Sequence, residues 1–282
     1  MISCTLKGGL GNLMFQIAFL EYSGNMNKYQ TGYWNLDQHL QHLNKEVRHN
    51  SKLQHADEYL TMFKNFKWPR INAEAKGRVN TWEWALATIG TLSGKAIASV
   101  VHIPFHFENF VTEDNVVYNG FFQSEKYFPN REFILDLFQP SDFVNSQLEK
   151  YNHIFKETTC SIHVRRGDYL KFSHIHKSED FTYYQKGMSL VSEVDKYLIF
   201  SDDIEWCKEK FVGDQFIFIE NEKDYIEIFL QSKCDHNIIS SSTFSWWGAY
   251  LNNKPNRKSI GPAQWFSNNK KNDVMPESWQ SI

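Results

Sequence analysis

Apolar and polar positions alternate most regularly in the second half of the chain. The runs CSIHV (160–164), KYLIFSD (196–202), FIFIE (216–220), NIIS (237–240) and KSIGP (258–262) are short, apolar and separated by segments of helical or loop character. That alternation predicts an α/β domain, a parallel sheet with helices on both faces. Ligands of such sheets bind beyond the carboxyl ends of the strands, so the residues after each run are the ones to examine. They are Arg165 to Asp168, Ser201 to Asp203, and Ser240 to Ser245.

The first half is less regular. ISCTL (2–6), GGLGN (8–12) and MFQIAFLEY (14–22) read as strand, tight turn and amphipathic helix, the opening of another α/β unit. VVYNGFFQSEKYF (116–128) reads as a strand running into a loop and short helix. Residues 30–80 are polar and dotted with histidines, and take no assignment. WALATIGTLSGKAIASVV (84–101) is the most membrane-like stretch, but Lys95 near its middle and Gly90 and Gly94 favour a buried or interfacial helix over a span.

A chain of 282 residues suits two domains, each with its own core. A linker is expected near 140–157, dividing the chain into 1–150 and 151–282. Charged residues make up 22% and the net charge is −3, so the basic excess of a nucleic-acid binder is missing. Cys4, Cys160, Cys207 and Cys234 form no Cys-x-x-Cys pair, which predicts reduced thiols in a cytoplasmic protein rather than a disulfide framework or zinc site. A first strand at Ile2 leaves no room for a signal peptide or anchor ahead of it.

Chemistry concentrates at four places. In HVRRGDYL (163–170), Arg165 and Arg166 follow a strand, and planar guanidinium forks suit the oxygens of a phosphate or diphosphate. In an extended segment adjacent side chains point to opposite sides, so one arginine should grip directly while the other organises the loop. Asp168 can hold an arginine, cap the next segment or accept a proton. SSSTFSWWGAYL (240–251) reads as a helix start with Ser242 or Thr243 near the N-cap and Phe244, Trp247 and Leu251 on one apolar face. Its unpaired backbone N–H groups and hydroxyls would seat an anion, although capping alone also explains the serines.

The third place, FSDDIEW (200–206), sets Asp202 and Asp203 at another strand end, where carboxylates can meet a ribose or base, bind Mg²⁺, or cap a helix through Asp202. The fourth is GGLGN, where Gly9 and Gly11 allow close backbone approach to a ligand, and Asn12 and Gln16 offer amides. It lacks the Lys-Ser/Thr ending of a P-loop, which weighs against a nucleotide kinase. His39 and His42 share helical spacing without a third ligand, so a polar face is the plainer reading. His174 and His176 could reach an acceptor hydroxyl from the loop after the arginines.

Taken in order, GGLGNLMFQIA, NGFFQSEKYF, HVRRGDY, FSDDIEWCK and SSSTFSWWGAYLN resemble the motifs of glycosyltransferase family 11, the α-1,2-fucosyltransferases of bacterial surface polysaccharides and related enzymes. The resemblance runs from Gly8 to about Trp265. It implies a GT-B architecture of two facing Rossmann-like domains, the second holding GDP-fucose and the first largely holding the acceptor. Inversion at the anomeric carbon is implied, with no metal and no other cofactor. The implied acceptor is a galactose-terminated oligosaccharide or lipid-linked glycan, with room for a peripheral contact at the inner membrane face.

Carried over by position, the resemblance assigns Arg165, Arg166 and Asp168 to the diphosphate loop and His163 to the nucleoside. Ser242, Thr243 and Ser245 would meet the phosphates; Asp202, Asp203 and Glu227 would serve the GDP side; Asn12 would face sugar and acceptor. Arg165, Arg166, Asp168 and Asn12 form the expected catalytic set, with Asp168 or His174 as candidate bases. Leu13 stands where family members usually carry Gln, and Ser241 where they often carry Asn. The first departure would take an amide from the cleft. A fucosyltransferase of another linkage or a protein acceptor is the nearest alternative, and a silent glycan-binding protein the one from a different class.

Overall fold

Ile2–Cys4 forms strand β1, fully buried, and the chain turns through Gly8 and Gly9 into helix α1 (Leu10–Asn27). The computed structural model describes residues 1–33, 36–45, 56–68, 99–268 and 270–282. Gly8 takes a positive φ of 80°, which lets the chain leave the strand and start the helix within a few residues. Strand β2 (Thr31–Gly32), helix α2 (Leu36–Lys45), β3 (Ser99–His102) and β4 (Val116–Asn119) complete a four-stranded parallel sheet of order β2-β1-β4-β3. Most of the segment expected as a buried helix at 84–101 lies outside the described residues; its last three belong to β3.

The expected linker at 140–157 is structured instead. After α3 (Arg131–Leu137), helix α4 (Asp142–Leu148) is capped by Ser141, whose side chain accepts from the Val144 N–H, and two short 3₁₀ turns follow at Glu149–Tyr151 and Ile154–Lys156. Val144, Leu148 and Ile154 are buried, so this connection contributes to the core even though its outer face is polar.

The second sheet follows the sequence pattern closely. Its strands are β5 (Thr159–Val164), β6 (Lys196–Ser201), β7 (Phe216–Phe218), β8 (His236–Ile238), β9 (Ser259–Gly261) and β10 (Gln280–Ser281), all parallel, in the order β10-β9-β8-β5-β6-β7. Between them lie α5 (Gly167–Lys171), α6 (Phe181–Leu190), α7 (Ile204–Lys210), α8 (Asp224–Lys233) and α9 (Thr243–Tyr250). The chain leaves β5 toward β6 on one side and returns to β8 on the other, so the end of β5 is a topological switch point.

The two sheets share one hydrophobic core. Its centre is the packing of α1 on α9: Phe15 lies with its ring 4.5 Å from Trp246 and 4.9 Å from Trp247, and Phe128 stacks on Trp247 at 5.8 Å. Trp246 and Trp247 are both fully buried, so α9 is apolar nearly all round rather than on one face. A smaller cluster, with Ile162, Ile199, Tyr184 and Phe211, covers the other face of the second sheet. The four cysteines are buried and unbridged, and no described helix is long and apolar enough to cross a membrane.

Candidate active site

Strand register brings the charged residues together. Val164 lies opposite Ser201, so the next residues out, Arg165 and Arg166, meet Asp202 and Asp203. The Arg165 guanidinium lies 2.6 Å from Asp168 Oδ1 and 3.0 Å from Asp202 Oδ2, with its carbon 5.3 Å from the centre of the Tyr169 ring. Burial alone would lower its pKa, but the facing Asp202 and Asp168 carboxylates reverse this and raise it, so the cation is held firmly. A Cβ at Gly167 would sit 2.6 Å from Asp202 Oδ2, so a larger residue would push on that carboxylate.

Arg165, Asp168 and Asp202 line a cavity of about 240 Å³ at the switch point. Arg166 does not. Its Nε donates to Asp203 Oδ2 at 3.0 Å and its guanidinium covers the Trp206 ring at 4.2 Å, while its backbone N–H donates to Asp202 Oδ1. The alternation of an extended segment explains the divergence, and of the two arginines only Arg165 faces the cavity. Asp203 is likewise outside it. Asp203, not Asp202, caps α7, accepting from the Trp206 N–H at 3.4 Å. The two carboxylates thus face separate arginines.

The start of α9 forms a second wall. Ser242 and Thr243 line the cavity with Phe244, and Ser242 occupies the N-cap without a side-chain capping hydrogen bond. Ser245 does not line the cavity: it is fully buried and its Oγ donates back to the Ser240 and Ser242 carbonyls. One helical turn beyond the N-cap, a short side chain points into the packed interior. His163 lines the cavity at the end of β5, with Nδ1 2.9 Å from Ser240 Oγ and its ring 5.3 Å from Phe244.

The GGLGN turn closes the third side. Gly9, Leu10, Gly11 and Asn12 line the cavity, and the Asn12 Oδ1 accepts from Gln123 at 2.7 Å. Gly11 touches α9 directly; a Cβ there would lie 2.5 Å from the backbone of Thr243 and Phe244. Gln16 makes no cleft contact. It is fully buried, its amide exchanging hydrogen bonds with the Lys7 backbone and tying the turn to the end of β1. Leu13 is fully buried in the core, so the departure from Gln adds apolar packing and leaves the cavity wall unchanged.

Glu227 lines the opposite wall from the first turn of α8, as does Asp224, which the sequence reading overlooked. The Tyr59 phenol donates to Asp224 across the two halves, and Glu58 beside it receives Lys223 Nζ and the Tyr225 hydroxyl. Tyr169 and His176 also line the cavity, their rings stacked 4.3 Å apart, whereas His174 is exposed and outside it. Tyr169 stands directly after Asp168 in HVRRGDYL, and that adjacency is the signal from which its place could have been found. His39 Nε2 lies 2.9 Å from the Gly8 carbonyl, and the His42 side chain is outside the described residues.

A strand-end guanidinium and free helix-start N–H groups around one cavity suit a diphosphate. The model of the family described as glycosyl transferase family 11 matches residues 1–282. Among curated relatives, the O-antigen biosynthesis glycosyltransferase WbnK of Escherichia coli is 30% identical over the full length of both chains. An alpha-1,2-colitosyltransferase of Escherichia coli is 28% identical, covering 100% of this chain and 99% of its own. Among solved structures, POFUT1 in complex with GDP-fucose superposes with a TM-score of 0.53 at 12% identity, covering 92% of this chain and 97% of its own. At that identity the likeness concerns fold alone, and the fold is the GT-B arrangement of two facing α/β units.

Proposed function

The chain belongs to glycosyl transferase family 11, and we propose that it is an inverting fucosyltransferase, moving L-fucose from GDP-β-L-fucose to the 2-hydroxyl of a galactose that ends a glycan acceptor. The observation that carries this reading is the convergence of Arg165 and the Ser242–Thr243 helix start on one cavity. As the bond from fucose to GDP breaks, the β-phosphate gains negative charge. Donors already fixed around it stabilise that charge without reorganising, and one such donor is worth about 3 kcal/mol, roughly a hundredfold in rate. Arg165 would take the place that a divalent cation fills in other sugar-nucleotide enzymes. Asp168 and Asp202 fix its fork, and Arg166 braces the loop from behind through Asp203 and Trp206.

His163, Asp202, Glu227 and Asn12 all line the cavity; the reading assigns the first three to the nucleoside and Asn12 to the sugar and acceptor. Attack from the opposite face turns the β-linked donor into an α-linked product. The acceptor is an oligosaccharide or lipid-linked glycan reached from the cytoplasm or the inner membrane face. Purified protein given GDP-fucose and a panel of β-galactoside-ended oligosaccharides should release GDP and form α-1,2-fucosides, identified by linkage analysis. Products of another linkage would overturn the acceptor assignment, and no transfer would overturn the reading.

A second donor is favoured by the full-length relative named for colitose. Colitose is fucose without its 3-hydroxyl, so the same diphosphate cradle serves both donors. Parallel assays with GDP-colitose separate them by kcat/KM.

A further inference from the structure

The transfer reaction needs a place for the proton of the attacking hydroxyl, and the ionisable groups of the cavity differ in how committed they are. Asp168 and Asp202 are paired with Arg165, and Asp202 also accepts the Arg166 N–H. Asp224 accepts from Tyr59, and the His163 ring is bonded to Ser240. His176 differs: it lines the same cavity, and neither ring nitrogen makes a hydrogen bond to a described residue. Its ring is nevertheless held in place. It stacks on Tyr169 at 4.3 Å and 16°, and the Tyr169 hydroxyl is itself fixed to the Ser241 carbonyl at 2.9 Å.

The backbone around it is pinned as well. The His176 N–H donates to Phe172, a bridge joins His176 to Phe266, and the Ser267 N–H donates to the Ile175 carbonyl. An imidazole anchored by its face and open at its edge, in a cavity that also holds the diphosphate cradle, is arranged as a proton acceptor. We propose that His176 is the general base of the transfer reaction, taking the proton of the acceptor hydroxyl.

This rests on the transferase reading. As the acceptor oxygen bonds to the anomeric carbon, its O–H bond breaks and the proton passes to the imidazole. The bond from the anomeric carbon to the β-phosphate oxygen breaks in the same process, its electron pair leaving with GDP. The imidazolium then loses its proton to water. Charge around His176 supports the role. Burial lowers its pKa below the ordinary 6.5, Asp168 opposes this, and Arg165 and His174 add to it, while the facing Phe266 and Ser267 carry no charge. The ring is therefore neutral, and basic, near neutral pH.

The test is steady-state kinetics of the whole protein with GDP-fucose and its acceptor, for wild type, His176→Gln and His176→Phe, across pH. The Phe variant keeps the stack on Tyr169 and so guards the fold. Wild-type kcat is expected to fall as pH drops through a value below 6.5. Both variants should lose about a hundredfold in kcat, keep KM for GDP-fucose within about threefold and lose the acidic limb. A wild-type profile without that limb, variants that keep it, or kcat within about threefold of wild type would overturn the assignment. Absence of transfer by the wild type would instead defeat the functional reading itself.

Discussion

The Trp247 indole N–H donates to the Gly11 carbonyl at 2.9 Å, joining the first glycine-rich turn to the helix that walls the cavity 236 positions later. The contact leaves no room for a larger residue, since a Cβ on Gly11 would press on the Thr243 and Phe244 backbone at 2.5 Å. Gly11→Ala should therefore displace the start of α9 together with the anion seat. A drop of several degrees in Tm and a loss of at least about tenfold in turnover are expected, since backbone shifts of this kind cost about 1–3 kcal/mol. Thermal unfolding and GDP-release assays check both.

The two arginines should separate by substitution. Arg165→Lys removes the fork that meets Asp168 and Asp202 at the cavity wall, and about a hundredfold loss in kcat is expected. Arg166→Lys keeps a cation near Asp203 but weakens the stack on Trp206, outside the cavity, so its loss should be much smaller. Equal losses in kinetic assays would contradict the placement.

Leu13→Gln restores the residue usual in the family, yet here it puts an amide where Leu13 is fully buried in the core. A stability loss of about 1–3 kcal/mol is expected, with no gain in kcat. Urea unfolding beside turnover measures the pair; higher turnover would place position 13 at the cleft after all.

Asp235 supplies a pH dependence. Burial pushes its pKa up, but Lys254 and the Thr159 N–H outweigh that and hold it below the ordinary 3.8. The unfolded chain then binds more protons in this range, so stability rises with pH and is lost as pH falls through the folded value. Asp235→Asn should be less stable than wild type at pH 7 and nearly level with it in strong acid. Thermal melts across pH give the comparison.

Activity should persist in EDTA, since the reading gives Arg165 the charge-stabilising role. Recovery only on adding Mg²⁺ or Mn²⁺ to an EDTA-treated sample would return the paired aspartates to metal binding.

Legibility in the sequence followed burial. The apolar runs of the second half each coincide with a strand: β5, β6, β8 and β9 lie inside the sheet, where burial on both faces is written as a continuous apolar segment, and the half-buried edge strand β7 carries such a run as well. Strands β2 and β10, of two residues each, leave no such trace, and α4 read as a linker because only Val144 and Leu148 turn inward. At the site, strand-end logic pointed to Arg165, Asp168, Asp202 and Thr243, all of which line the cavity. It could not say which of two adjacent arginines faced in, nor that Gln16 and Ser245 are spent on the backbone, because direction and hydrogen-bond partners arise from packing. Tyr59 lay in a stretch without periodicity, and its bridge to Asp224 joins distant segments.

The central claim is that Arg165 and the opening of α9 hold the pyrophosphate of a nucleotide. Calorimetric titration of wild type and Arg165→Lys with GDP and with guanosine measures that directly. GDP should bind wild type far more tightly than guanosine does, and the substitution should abolish most of the difference while guanosine binding stays unchanged. If the Lys variant still prefers GDP by the wild-type margin, the diphosphate is held elsewhere.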